Sequence, residues 1–113
     1  MERNFRAKEY VYALFIGHQL IEKLLKALCA RTMGAEVPRT HDLAQLAKTA
    51  GIPVSDRQRE LMDRFLAFSL EARYPDQRMR LHKKATREYT GRQLRYIREM
   101  RDWLLDLLSK SLD

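Results

Sequence analysis

Three histidines, one cysteine and a run of arginines are the side chains whose types could do chemistry in this sequence. His18 and Glu22 are one helical turn apart and can in principle chelate a metal from one helix face, but two ligands without a third make a poor site. A core or interface histidine paired with a carboxylate is the simpler reading. His41 and His82 stand elsewhere, and no HExxH, CxxC, glycine-rich phosphate loop or GxSxG element accompanies any of the three. No metal site and no cofactor is therefore expected. Cys29 is alone in an apolar stretch, which suits a buried thiol in a reducing compartment rather than half of a disulfide.

The basic residues are unevenly placed. Net charge is +7, and ten basic residues against three acids lie between Arg73 and Arg101, whereas the remainder balances twelve against twelve. The whole excess thus falls on one segment, carried by Arg78, Arg80, Lys83, Lys84, Arg87, Arg92, Arg95 and Arg98 besides its two ends. Such a patch attracts polyanions, and Arg or Lys contacts to phosphate are salt-sensitive and carry little sequence information. RNA or a nucleotide suits it; a solvated face and a surface for an acidic partner protein are the alternatives that charge leaves open. At the start of the segment, Arg73 offers a fork for phosphate or carboxylate, Tyr74 a ring for stacking, and Asp76 a cap or a partner for Arg73. With His41, expected in the first turn of a helix where free amides favour anions, they form a candidate nucleotide pocket. The competing reading is structural: Asp76 and Arg73 lock a loop, and His41 completes a cap.

These residues must be positioned by helices. At 113 residues, with 45% hydrophobic and 33% charged, the chain has the makeup of one folded domain rather than a disordered segment. No run approaches the roughly 18 to 20 apolar residues that cross a bilayer, and Met1-Glu2-Arg3-Asn4 is not a signal peptide, so a cytoplasmic protein without membrane attachment is expected. From about Phe5 to Met33 there is no proline, and Val11, Leu14, Phe15, His18, Ile21, Leu25 and Leu28 recur at helical steps. A second row, Ala13, Gly17, Leu20, Leu24 and Ala27, flanks them, which makes this the central helix, stopped at Gly34. After the loop from Gly34 to Arg39, Thr40 can cap a short helix ending at Gly51. Ser55 with Gln58 has the capping-box form for a helix carrying Leu61, Met62, Phe65, Leu66 and Ser69 to about Ala72, which Pro75 ends. A last helix spans about Thr86 to Lys110, with Leu94, Ile97, Leu104, Leu105 and Leu108 on one side and Tyr96, Met100, Trp103 and Leu107 on the other. Nothing alternates with period two, so the expected fold is all-α, an up-and-down bundle of four to five helices. The first and last helices carry apolar residues around more than half their circumference, which a homodimer would cover; a compact monomer with both helices central is the alternative.

The stretch from Tyr12 to Leu28, containing His18-Gln19, Glu22-Lys23 and Leu25-Lys26-Ala27-Leu28, resembles the helix pattern HQxxEKxLKAL of the HEPN family (higher eukaryotes and prokaryotes nucleotide-binding). Two further elements follow in order: Pro38-Arg39-Thr40-His41-Asp42-Leu43 is similar to its TH-x-L element, and Ala72-Arg73-Tyr74-Pro75-Asp76 to its ARYPD element. Lys83-Lys84-Ala85-Thr86 and the Trp103-Leu104 helix also look like this branch. The resemblance implies a single HEPN domain over residues 1–113, helical and often dimeric, and a partner that is a minimal nucleotidyltransferase in a toxin–antitoxin pair. Relatives commonly have a helix before the one bearing the HQ element; here about ten residues precede Val11, so that helix is either lost or outside the sequence.

Ribonuclease members of the family place four to six residues between an Arg and a His. Here Arg78 precedes His82 with three between and Arg73 with eight, and Lys84 stands where some relatives have a tyrosine modified by the nucleotidyltransferase. No catalytic residue is therefore assigned. The expected protein is a noncatalytic nucleotide- or RNA-binding partner of a nucleotidyltransferase. A ribonuclease toxin with a non-standard Arg78 and His82 site, and a dimeric adaptor for an acidic protein, are the contrasting readings.

Overall fold

The computed structural model describes residues 2–34 and 36–110; Met1, Ala35 in the expected Gly34–Arg39 loop and residues 111–113 lie outside them. Five helices follow in order: α1 (Glu2–Met33), α2 (Leu43–Thr49), α3 (Asp56–Arg73), α4 (Pro75–Lys84) and α5 (Arg87–Lys110). No strand occurs among the described residues, so the fold is all-α as the periodicity requires. At 1.5 Å per residue α1 alone is roughly 48 Å long, which sets the 51 Å long axis of the molecule. α3 packs against α1 in the opposite direction. α5 runs alongside α1 in the same direction, with Thr86 near Tyr10, Ile97 against Gly17 and the Leu108 carbonyl accepting from the Arg31 guanidinium.

The core is built on the expected face of α1. Leu14, Ile21, Leu25 and Cys29 are fully buried, with Val11, His18 and Leu28 nearly so, against Met62, Phe65 and Phe68 of α3 and Leu43, Leu46 and Ala47 of α2. In the second row Gly17 is buried because α5 crosses there: a Cβ at that position would lie 2.5 Å from Ile97 Cδ1. Leu20 of the same row is exposed, and with Tyr12 and Ile16 it forms an apolar stripe at four-residue steps along the outer side of α1.

The ends of α2 and α3 show how sequence becomes geometry. Asp42, not Thr40, caps α2: its carboxylate accepts from the Ala44 and Gln45 amides at 3.1 and 3.3 Å, while Thr40 Oγ1 accepts from the Asp42 amide at 3.1 Å. An ionised carboxylate is the stronger acceptor for the exposed amides, and it shifts the helix start by two residues. His41 therefore precedes the cap instead of standing in the first turn. Gly51 adopts φ 73°, a left-handed conformation that glycine takes without strain, and turns the chain out of α2. Ser55 and Gln58 make both bonds of the capping box that begins α3.

Pro75 does more than end a helix. Tyr74 is extended at φ −107°, ψ 125°, the conformation imposed on a residue before proline, and it closes α3 and opens α4 at once. Pro75 occupies the first turn of α4, where its missing amide costs nothing, so a segment expected to be a loop is a ten-residue helix. Thr86 Oγ1 accepts from the Tyr89 amide at the start of α5, one residue from the expected boundary. The buried stripe of α5 is Thr90, Gln93, Ile97, Met100 and Leu104, drawn from both expected apolar sides; Leu105, placed on one side with Ile97 and Leu104, is 46% exposed. The register is set by Ile97 seated on Gly17, which turns Gln93 and Thr90 inward and Leu105 out.

Candidate nucleic-acid interface

Two polar clusters stand out, and the first is a clamp between α1 and the loop before α2. His41 Nδ1 lies 2.8 Å from Glu22 Oε1, and Lys26 Nζ is 3.1 Å from the other carboxylate oxygen, so Glu22 is held from two sides. Burial pushes the Glu22 carboxyl up, but the bonds from His41 and Lys26 together outweigh it and hold it below its ordinary value. His18 is almost completely buried, and its Nε2 lies 3.1 Å from the His41 carbonyl. A carbonyl only accepts, so Nε2 carries the proton; Nδ1 is buried without a partner. Burial lowers the His18 pKa, only partly opposed by the His41 carbonyl and Glu22, and the charge of Arg73 depresses it further. The neutral ring at 3.9 Å from Glu22 ties helix to loop. Cys29, buried beside this clamp, donates to the Leu46 carbonyl at 3.2 Å, and burial raises its pKa, which disfavours the reactive thiolate.

The second cluster is a groove between the N-terminal half of α1, the end of α3 and α4. It encloses about 630 Å³ and is lined by Lys8, Val11, Tyr12 and Phe15 from α1, Ala72 and Arg73 from α3, and Arg78, Met79 and His82 from α4. A second recess of about 870 Å³ shares Lys8, Met79 and His82 with it and is lined also by Arg6, Lys83 and Arg87. Tyr12 is 66% exposed, leaving its ring face free for stacking. Arg73 and Asp76 make no ion pair with each other or with any other described residue, and both face solvent. Of the four candidate nucleotide ligands, Arg73 thus lines the groove, whereas His41 is bound to Glu22 and is not among the residues that line it. Tyr74, 56% exposed, is the junction between α3 and α4, and Asp76 stands in the first turn of α4.

Arg78 and His82 lie one helical turn apart on α4 and line the same groove. The three-residue gap, shorter than the family's ribonuclease spacing, therefore puts them on one face, because the segment is helical. His82 nonetheless has no hydrogen-bond or ion-pair partner among the described residues to fix its ring. Arg78, Arg80, Lys83, Lys84, Arg87, Arg92, Arg95 and Arg98 are all exposed, and none makes an ion pair among the described residues. Arg92, Arg95 and Arg98 recur at three-residue steps along α5. Lys8, Tyr12 and Phe15 are the groove residues that charge counting overlooked. Tyr12 carries the signal, as the first member of the stripe with Ile16 and Leu20 that points away from the core.

Among the described residues no group of three or more histidine, cysteine or acidic side chains is arranged to hold a metal ion, and no helix is long and apolar enough to cross a membrane. No curated protein and no solved structure matches the chain. The family model described as HEPN domain matches residues 1–108, nearly the whole length, and the chain belongs to the HEPN domain family.

Proposed function

We propose that this HEPN protein is a noncatalytic RNA- or nucleotide-binding partner of a minimal nucleotidyltransferase in a toxin–antitoxin pair, and that it binds phosphate along the groove beside α4. One observation carries the binding: Lys8, Arg73 and Arg78 converge on a groove of about 630 Å³ that also presents Tyr12 and Phe15, and none of the three cations has a carboxylate partner among the described residues. Unpaired cations beside aromatic rings match what a nucleotide offers, charge and a flat base. Pairing with a nucleotidyltransferase rests on the resemblance of the three motifs. Beyond the groove the apolar stripe continues at Ile16 and Leu20, and covering these two with a second copy makes the protein a homodimer. The noncatalytic reading rests on the unheld ring of His82.

The test is fluorescence anisotropy with single-stranded RNA and with AMP, comparing wild type with Arg73→Gln and Arg78→Gln. Each substitution should weaken binding about tenfold, the size of one lost charge-assisted hydrogen bond; no change in either removes the groove from the function. Co-purification of the neighbouring gene product, if that is a nucleotidyltransferase, tests the pairing. Sedimentation of Ile16→Lys against wild type tests the dimer, which the lysine should convert to monomer. A second reading, a ribonuclease using Arg78 and His82, is favoured by their shared face on α4; cleavage of RNA lost on His82→Ala would establish it.

A further inference from the structure

A glutamine is an expensive residue to bury, and Gln93, 3% exposed on the inward stripe of α5, needs a reason to be there. Its carbonyl oxygen accepts from Arg64 Nη1 at 3.3 Å, while Arg64 Nη2 is bonded to Glu60 at 3.2 Å, one turn earlier on α3. The guanidinium is thus held from two sides, and of its five N–H donors three remain for another acceptor. It faces a recess of about 340 Å³ between α3 and α5, lined also by Lys84, Tyr89, Arg92 and Tyr96. Lys84 Nζ sits over the Tyr89 ring at 5.5 Å from its centre, which restrains the ammonium without neutralising it. Arg92 has no partner among the described residues. Three cations therefore converge here, and the single carboxylate among their contacts, Glu60, is 70% exposed and well screened. Tyr89 and Tyr96, two turns apart on α5, add ring surface to its lining.

We propose that this recess is a second phosphate-binding site, in which Arg64, Lys84 and Arg92 contact the anion and Gln93 positions Arg64. It shares no lining residue with the groove that carries Arg73 and Arg78. Its volume lies at the lower end of the roughly 300 to 1,000 Å³ typical of small-ligand pockets, enough for a phosphate with part of its nucleoside. A preoriented arginine fork, a lysine and a second arginine around one small space are what a tetrahedral dianion requires, and a fork held by a buried amide loses less entropy on binding than a free surface arginine. The phosphate can come from a free nucleotide or from an RNA backbone. The proposal rests on the reading of this protein as a binder of phosphate-bearing ligands, but not on the groove beside α4.

The experiment is ¹H–¹⁵N NMR of the full chain titrated separately with inorganic phosphate, AMP and an unphosphorylated single-stranded RNA. The Arg64 Nε and Gln93 side-chain amide signals should move saturably with phosphate and AMP. If RNA alone moves them, the site still binds phosphate and its source is the backbone. Arg64→Gln should weaken the response about tenfold and Arg92→Gln, on exposed surface where folding is not at risk, several-fold. Gln93→Leu should keep the fold and shift the Arg64 Nε signal before any ligand is added, which a purely packing role would not do. Arg73→Gln should leave all of this unchanged while weakening RNA binding at the groove, so the two sites fail separately. No movement of either signal with any of the three probes, or an Arg64→Gln response equal to wild type, overturns the proposal.

Discussion

The clamp at His18, Glu22 and His41 and the basic surface along α4 and α5 are built on opposite plans. At the clamp Glu22 is engaged by His41 and Lys26, and the His18 proton by a backbone carbonyl, all over distances of 2.8 to 3.1 Å. From Arg78 on α4 to Arg98 on α5 eight cations face solvent and none meets a carboxylate among the described residues, whereas further along α5 Arg101 and Lys110 are paired with Asp102 and Asp106. Groups that satisfy one another hold the fold and have little left for a ligand. Groups that leave their charges unanswered contribute little to stability and are free to answer a ligand's. Two of the motifs behind the family resemblance, those containing His18 with Glu22 and His41, meet in the clamp, while the third, at Arg73, opens onto the groove.

The comparison breaks most visibly if the unpaired cations are removed. Replacing Arg92, Arg95 and Arg98 together by Gln should lower RNA affinity on the order of a hundredfold at low salt, for unrelated sequences alike, with no loss of helicity. The salt dependence should flatten as well, by roughly 0.7 in log–log slope for each phosphate of the single strand that is no longer neutralised. Anisotropy across a salt series reads both, and an unchanged affinity would make the α5 face a solvated surface.

The reverse experiment removes a paired group. Glu22→Gln should destabilise the protein by about 2 kcal/mol in urea denaturation, since it weakens two charge-assisted bonds to a largely buried carboxylate, while the folded variant binds RNA like wild type. Loss of RNA binding with stability intact would place the clamp in the ligand site and erase the distinction.

Acid should act on the clamp first. His18 has a folded pKa below its ordinary 6.5, so the unfolded chain takes up the proton earlier. The stability it contributes is fully present above 6.5 and is lost as pH falls through that value towards the folded pKa, by up to about 1.4 kcal/mol per pH unit. Glu22, also lowered, adds its loss only below its ordinary 4.5. Urea midpoints measured between about pH 8 and 5 should fall on the acid side, and His18→Gln, which keeps a donor for the His41 carbonyl, should flatten the fall. A flat wild-type profile would mean that His18 is not held neutral by burial.

Much of this was legible in the sequence, and the failures have physical causes. The inward face of α1 follows from steps of three and four, and the Ser55 capping box from two residues, because local patterns determine both. α4 was missed because Pro75 reads equally well as the end of one helix and the start of the next, and Leu81 is its only buried residue. Gln93 and Thr90 were not expected inside, since nothing local signals burial of a polar residue; contact between Ile97 and Gly17 on another helix sets it. The basic segment was visible as charge, but its groove was not, because Lys8, Tyr12 and Phe15 come from a helix some sixty residues away in sequence.

The smallest effect is expected at His82, where the comparison is sharpest because the groove holds a histidine that belongs to neither plan. Cleaving a phosphodiester requires an acid or base at the reacting oxygen and a charge stabiliser at the phosphate, both held in place before the substrate arrives. The stabilisers are at hand, since Arg73 and Arg78 line the groove with His82. Proximity is therefore no obstacle. What is absent is an orienting group: His41 is fixed by Glu22 and His18 by a carbonyl, whereas His82 touches no hydrogen-bond partner among the described residues and only part of it is covered. An imidazole free to rotate forfeits the entropic advantage that makes a positioned base effective. The purified protein should thus cleave RNA no faster than background, His82→Ala should bind RNA within a few-fold of wild type, and cells expressing either should grow alike. A second copy of the chain can still supply the missing partner by facing the groove. Cleavage that appears only in the dimer and disappears with His82→Ala would show that the interface completes the site, and would make the groove catalytic.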